Sequence, residues 1–327
     1  MASNLVVRQH FVPKTYLKHF GTRIQKAYMI NALPADAIQK SKIFEASTKS
    51  VAFEKHLYTL PGETVEQKMA VEKFYSDELE QHYNDIYEIL VDPNKNTITA
   101  QERELIISTV VTMYYRTTKW VNASKDLMGR VFMQMFNLCQ QTGKDYFTYE
   151  GEKISIKGKT LEQFTKEFND ERQPSMILLQ LETAFKLIAL RMKNDGICVI
   201  KLGEDKHEYI TSDNPVIANN HNSQHFAPFD PNNLLRLPLD SKHTLMLVPE
   251  CLEGQELTII RNNTKGVFAE MEKLTANSSQ TQNAEKHIFG SKSGLESYLD
   301  LKVESERPIK EGETTADIYR NLKKMGL

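Results

Sequence analysis

The hydrophobic period of this chain changes at Asp195-Gly196. From Thr64 to about Asn194 apolar residues recur at helical spacing, and after Gly196 they alternate, as they do earlier in Ala27–Leu33 and Ile38–Thr48. A period near 3.6 buries one stripe of a helix and a period of two buries one face of a strand, so the tracts cannot exchange roles. Hairpin, helices, then strands predicts an α+β fold. Its sheet is mixed or mostly antiparallel, built from the N-terminal hairpin and C-terminal strands, with a large helical insert over about 64–194 packed on it. No internal repeat or low-complexity tract divides the sequence, which reads as one domain over 1–327.

Local signals place the elements. Pro13 suits the first position of a short helix to Phe20, with Gly21 as its left-handed C-cap. Val51–Leu60 reads as an irregular connector. One helix is expected over Thr64–Leu90, a second from Thr99 with its clearest part at Glu102–Val121, and a third over about Asn122–Gln141. Gly143–Lys159 alternates around glycines as a surface hairpin, and helices follow at about Thr160–Asn169 and Ser175–Lys193. Strands are expected at Ile197–Leu202, Glu208–Thr211, Leu234–Pro238, Thr244–Val248 and Leu257–Ile260, with helices at Asn262–Asn277 and Ile318–Lys324.

Charge and cysteine usage exclude some classes. The 41 basic and 43 acidic residues give a formal charge of −2, without the basic excess of a protein that clamps duplex DNA nonspecifically. Cys139, Cys198 and Cys251 stand far apart among apolar neighbours and form neither a zinc knuckle nor a disulfide framework; they read as buried reduced thiols. The start lacks the apolar run of a signal peptide and no stretch reaches spanning length, so the expectation is a soluble cytoplasmic protein without membrane contact. No P-loop, dinucleotide fingerprint, nucleophile elbow or kinase set occurs.

Three places carry polar side chains in a pattern that invites chemistry. Arg8, Gln9 and His10 immediately precede the Pro13 helix, whose opening amides favour an anion; a phosphate or carboxylate would be held by Arg8 and by Gln9 or His10, and the helix end would keep His10 neutral and able to act as a base. The competing reading has His10 bond a backbone carbonyl and orient the chain. His19 reads as packed or surface. In Ile210-Thr211-Ser212-Asp213-Asn214-Pro215-Val216 an apolar strand ends in four small polar residues. Asp213 suits a general base or metal ligand, with Ser212 and Asn214 beside it, yet the same residues build a structural Asx corner. Arg116, among Met113, Tyr114, Tyr115, Thr117 and Trp120, needs a carboxylate or a ligand phosphate if buried. Glu78 and His82 share a helix face without a second histidine, and read as solvated. His221 and His225 lie in a long uncharged loop. A divalent metal is compatible with Asp213 but not indicated, since one carboxylate rarely suffices.

The segments Gln9–Phe20, Tyr209–Val216 and Leu235–Leu247, with Tyr115-Arg116-Thr117 and the tract Asn283–Phe289, resemble the prokaryotic domain-of-unknown-function family 4238, in matching order over most of the chain. Asp240 departs from the serine more often found after Pro-Leu, which weakens any site role at that position. The resemblance implies a soluble bacterial protein, some of whose relatives are encoded near mobile elements and phage-defence genes, and it implies no established activity. Two functional classes follow. One is a hydrolase acting on nucleic acid or nucleotide phosphates in phage defence or another mobile-element conflict, with Arg8 and Arg116 on phosphate and His10 and Asp213 handling protons. The other is a binding module that senses a ligand, a phage component or a defence protein with the same polar pocket. A third reading makes the motifs fold landmarks, with Gln9 or His10 bonded to the Ser212–Asn214 turn.

Overall fold

The computed structural model describes residues 5–149, 151–203, 206, 208–220, 227–250, 253–306 and 314. His221, His225, Cys251 and the expected helix Ile318–Lys324 lie outside them. Two five-stranded sheets carry the fold. One runs in the order Ile217–Asn219, Leu234–Pro238, His243–Val248, Gly196–Leu202, Ile259–Thr264. Its neighbours are antiparallel except the last pair, which is parallel.

The other sheet joins distant parts of the chain. Ala27–Pro34 pairs with Thr22–Ile24, with Phe44–Ser47 and with His287–Gly290, which in turn pairs with Thr211–Ser212. The N-terminal hairpin therefore does join C-terminal strands, in a sheet of its own. Both sheets are mostly antiparallel and the helical region is large, which makes this an α+β fold. One contiguous core links Phe11, Tyr16, Tyr83, Ile107, Leu235 and Phe289. A smaller one, around Phe132, Phe136, Phe164 and Phe168, packs the far ends of two long helices under the hairpin Tyr146–Tyr149/Glu152–Ser155. No helix among the described residues is long and apolar enough to cross a membrane.

Several elements differ from the pattern-based reading. Arg8–His10 is a strand paired with Phe53–Lys55, inside what reads as a connector. Pro13 is the N-cap of a four-residue helix, Lys14–Leu17, continued as a 3-10 turn over Lys18–Phe20. Gly21 is extended (φ −110°, ψ 170°), not left-handed. Glycine is required there because a Cβ would stand 2.5 Å from the Met29 carbonyl oxygen.

The first long helix is broken into Val65–Lys68, Ala70–Phe74, a π turn at Tyr75–Leu79, a 3-10 turn at Glu80–His82, and Tyr83–Val91. Thr99 opens Ala100–Tyr115 with a capping box to Glu102. The next helix begins at Thr118 rather than Asn122, because Arg116 is drawn into the core between the two. Leu161–Asn194 is continuous through Pro174. The proline forfeits one helical hydrogen bond, and burial of Phe168 before it and Ile177 after it keeps both sides docked. Ile259–Thr264 is strand where a helix is expected to begin, and that helix spans Val267–Asn283. A strand at Ile217–Asn219 and a helix at Lys292–Glu306 have no counterpart in the sequence reading.

Candidate functional site

The singled-out residues form two polar groups. The first surrounds Arg116, the C-cap of helix Ala100–Tyr115. Its Nη2 donates to the His10 carbonyl at 2.7 Å and to Glu80 Oε1 at 2.8 Å. The guanidinium lies 4.2 Å from the Tyr75 ring centroid, and the Tyr58 hydroxyl donates to the Arg116 carbonyl. Burial pushes the Arg116 pKa down, but Glu80 and the surrounding tyrosines outweigh it and raise it. The π turn contributes here, since its extra residue resets the phase of the helix between Tyr75, which stacks on the guanidinium, and Glu80, which pairs with it.

This centre is closed to a phosphate. Arg116 is 3% exposed. Its Nε, the Tyr83 hydroxyl and Thr109 Oγ1 lack partners, and the cavity they line holds about 10 Å³, room for about one water molecule. His10 is buried against Phe53, with Nε2 unpartnered. Burial first, then Lys14 and Arg116, lower its pKa to about 4 against the pull of Glu80 and a hydrogen bond to the Lys49 backbone. Desolvation, rather than a helix end, is the first cause of this lowering.

Gln9 is fully buried: Oε1 accepts from the Tyr58 backbone N–H at 2.6 Å and Nε2 donates to Thr59 Oγ1 at 3.3 Å. Arg8 is exposed, its guanidinium 4.9 Å from the Phe53 ring centroid. Glu72 was not legible as part of this group, although its 4-3 spacing from Val65 and Met69 is the available signal. Burial first, then Glu80, raise its pKa to about 7 against the pull of Arg116 and Lys14, and Oε2 has no partner.

The second group gathers around Ser212-Asp213-Asn214. Asp213 is 1% exposed and its carboxylate accepts three backbone N–H groups: Glu285 at 3.0 Å, Lys286 at 2.6 Å and His287 at 3.1 Å. Burial raises its pKa against those three bonds. Ser212 Oγ donates to Gln280 Oε1 at 2.7 Å and accepts from the Asn214 backbone at 3.2 Å, so an Asx/Ser corner is indeed built here. Asn214 and Asn283 exchange side-chain-to-carbonyl bonds at 3.2 and 2.8 Å, and Asn214 Oδ1 is buried without a partner.

Lys119, which the motifs did not single out, donates to Asn283 Oδ1. Burial lowers its pKa against the pull of Glu285 and Asp213. Beside it the half-buried Trp120 lies 5.8 Å from Phe229, itself 56% exposed and stacked on Tyr115. The crevice between Trp120, Asn214 and Asn283 is closed to a water molecule, so a ligand would rest on this surface rather than sink into it.

Among the described residues no hydrogen bond or ion pair links His10 or Arg116 to Asp213. The Gln9–Tyr58 bond takes the place of the expected bond between Gln9 or His10 and the Ser212–Asn214 turn. The two groups meet through the chain from Arg116 to Lys119 and through the Tyr16 and Thr211 hydroxyls, 2.6 Å apart. Among the described residues no group of three or more His, Cys, Asp or Glu side chains is arranged to hold a metal ion.

An α+β scaffold with two buried polar centres, each tying together chain segments far apart in sequence, defines the class of this molecule. The chain belongs to the family of proteins of unknown function DUF4238, whose model matches residues 8–294. No curated protein and no solved structure matches it.

Proposed function

We propose that the surface over Lys119, Trp120, Asn214 and Asn283 binds phosphate-bearing nucleotides or single-stranded nucleic acid, and that the protein acts there as a ligand-sensing module. The observation that carries this reading is the meeting of Lys119 with the paired Asn214 and Asn283 beside the Trp120–Phe229 rings. The exposed Phe229 ring with Trp120 beside it offers a stacking platform for a base, and a lysine meets phosphate. Asn214 and Asn283, each bonded to the other's carbonyl, hold the lysine in place. A nucleotide signal or invading nucleic acid, passed on to a defence-system protein in the cytoplasm, is the setting this reading fits.

A second reading, hydrolysis of nucleic acid or nucleotide phosphates, is favoured by one observation: His10, held neutral with Nε2 unpartnered. Against it, the Arg116 centre bonded to the His10 carbonyl has no room for a phosphate, and the Asp213 carboxylate is already engaged by three N–H groups, which leaves it a poor base.

The chain has one tryptophan, so Trp120 fluorescence reports on the site directly. Titration with ATP and with an oligothymidylate should quench it, and Lys119→Ala and Phe229→Ala should each weaken binding about tenfold. No response to either ligand, or full binding by both variants, rejects the reading. Product release from the same ligands that disappears in a folded His10→Asn variant would instead establish the hydrolase.

A further inference from the structure

A groove of about 380 Å³ opens beside the π turn Tyr75–Leu79, on the outer side of Leu79 and Thr112, whose inner side lines the closed Arg116 cavity. Phe74, Leu105, Phe185 and Ile188 form its apolar walls, and Glu78 and Glu104 stand among its lining residues with no lysine or arginine. Phe185 is 45% exposed and meets Phe74 edge-on, ring centroids 5.4 Å apart at 90°. Phe74 and Glu78, four positions apart, line the same groove, an aromatic wall followed by a carboxylate. The tract that carries it is rich in acid, with eight carboxyl groups from Glu66 to Asp92 against Lys68 and Lys73, of which Glu80 is paired with Arg116 and Glu72 holds its proton to about pH 7.

An apolar cleft in water gains by covering Phe185 and Phe74, and the surrounding carboxylates select the charge of what covers them. An amphipathic helix meets both demands, because anchors at i, i+3 or i+4 and i+7 fill a groove while its flanks present charge. We propose that this groove docks a basic amphipathic helix of a partner protein, with apolar anchors between Phe74 and Phe185 and a lysine or arginine against Glu78 and against Glu104. The proposal is independent of the nucleotide surface around Lys119.

The test uses the full chain and a fluorescein-labelled peptide of about 18 residues, leucine and lysine arranged as an amphipathic helix, with a scrambled peptide of the same composition as control. Fluorescence anisotropy should show the amphipathic peptide binding at least about tenfold more tightly than the scrambled one. Phe185→Asp, and separately the pair Glu78→Lys with Glu104→Lys, should each cost about tenfold at a temperature where circular dichroism shows both variants folded. Lys119→Ala should leave peptide binding intact. Equal binding of the scrambled peptide, or wild-type binding by the groove variants, overturns the proposal. So does concentration-dependent self-association that Phe185→Asp abolishes without any peptide binding, which would assign the groove to a second copy of this chain.

Discussion

The hydroxyls of Tyr16 and Thr211, 195 positions apart in sequence, lie 2.6 Å from each other in a site from which solvent is wholly excluded. They join the helix that follows Arg8-Gln9-His10 to the strand that begins Thr211-Ser212-Asp213-Asn214. The two segments thus meet through side chains outside the polar trio and before Asp213. Removing either hydroxyl alone leaves the other buried and unpaired, at about 1–3 kcal/mol. In a cycle of Tyr16→Phe and Thr211→Val, the double variant should lose less than the sum of the singles, with a coupling of about 0.5–1.5 kcal/mol by urea denaturation. Additive losses would show that the pair does not hold these segments together.

Asp213 offers a sharper contrast between structure and chemistry. Its two oxygens close the turn Glu285–His287 by accepting three consecutive N–H groups. Asp213→Asn replaces one acceptor oxygen by an NH₂ that faces donors. Hydrogen bonds to a charged group are each worth about 1.5–3 kcal/mol, so this isosteric change should cost at least about 2 kcal/mol of stability. An Asp213→Asn protein as stable as wild type, measured by chemical denaturation, would free the carboxylate for a role in catalysis.

How legible these features were depends on the range of the interactions that create them. The alternation of Leu234–Pro238 and the Thr99 capping box are local, and both stand where the sequence puts them. The interruption at Arg116 is not local: it follows from the His10 carbonyl and from Glu80, neither of which is a neighbour in sequence. The same holds for Arg8–His10, whose strand exists only because Phe53–Lys55 lies alongside. Among the candidate residues, Arg116 calls for a carboxylate or a ligand phosphate, and the structure gives it Glu80. Lys119 and Asn283 went unremarked because one lysine or one asparagine carries no pattern until the fold sets it beside Asn214.

The Arg116–Glu80 pair should behave as a buried charge pair, Arg116 being 3% and the Glu80 side chain 19% exposed. Arg116→Ala strands Glu80 and leaves the His10 carbonyl unpaired, at about 3–5 kcal/mol. Replacing both charges by apolar groups, Arg116→Met with Glu80→Met, should recover at least half of that loss, since the desolvation of Glu80 no longer has to be offset. Thermal and urea denaturation of the three proteins measure this. A double variant no more stable than Arg116→Ala would mean that Tyr58, Tyr75 and the His10 carbonyl, rather than the charge pair, set the cost.

Gly21 and Gly143 separate two reasons for glycine. Gly143 closes helix Thr118–Thr142 at φ +66° with open space where a Cβ would stand, so Gly143→Ala meets only backbone strain of about 1 kcal/mol. At Gly21 the φ is ordinary, but a Cβ would stand 2.5 Å from the Met29 carbonyl oxygen, within a strand pair that cannot yield cheaply. Gly21→Ala should therefore cost about 1–3 kcal/mol, the larger loss of the two. Equal losses in denaturant titrations would place the constraint in φ rather than in the approach of the strand.

His10 and Glu72 set opposing pH dependences around the same arginine. With its pKa lowered from 6.5 to about 4, chiefly by burial, folded His10 refuses a proton that the unfolded chain binds. Its contribution therefore falls as pH drops through that window. With its pKa raised from 4.5 to about 7, again chiefly by burial, folded Glu72 keeps a proton that the unfolded chain releases, so its contribution falls as pH rises from 4.5 to 7. Between about pH 4.5 and 6.5 the two slopes have opposite signs and offset each other. His19, also lowered to about 4 by burial, adds to the His10 side in every protein compared. Glu72→Gln should thus steepen the loss of stability on acidification, while His10→Gln should flatten or reverse it. Urea denaturation of wild type and both variants at intervals between about pH 4 and 7 gives the slopes directly. Three parallel curves would show that neither group titrates differently in the folded and unfolded chain.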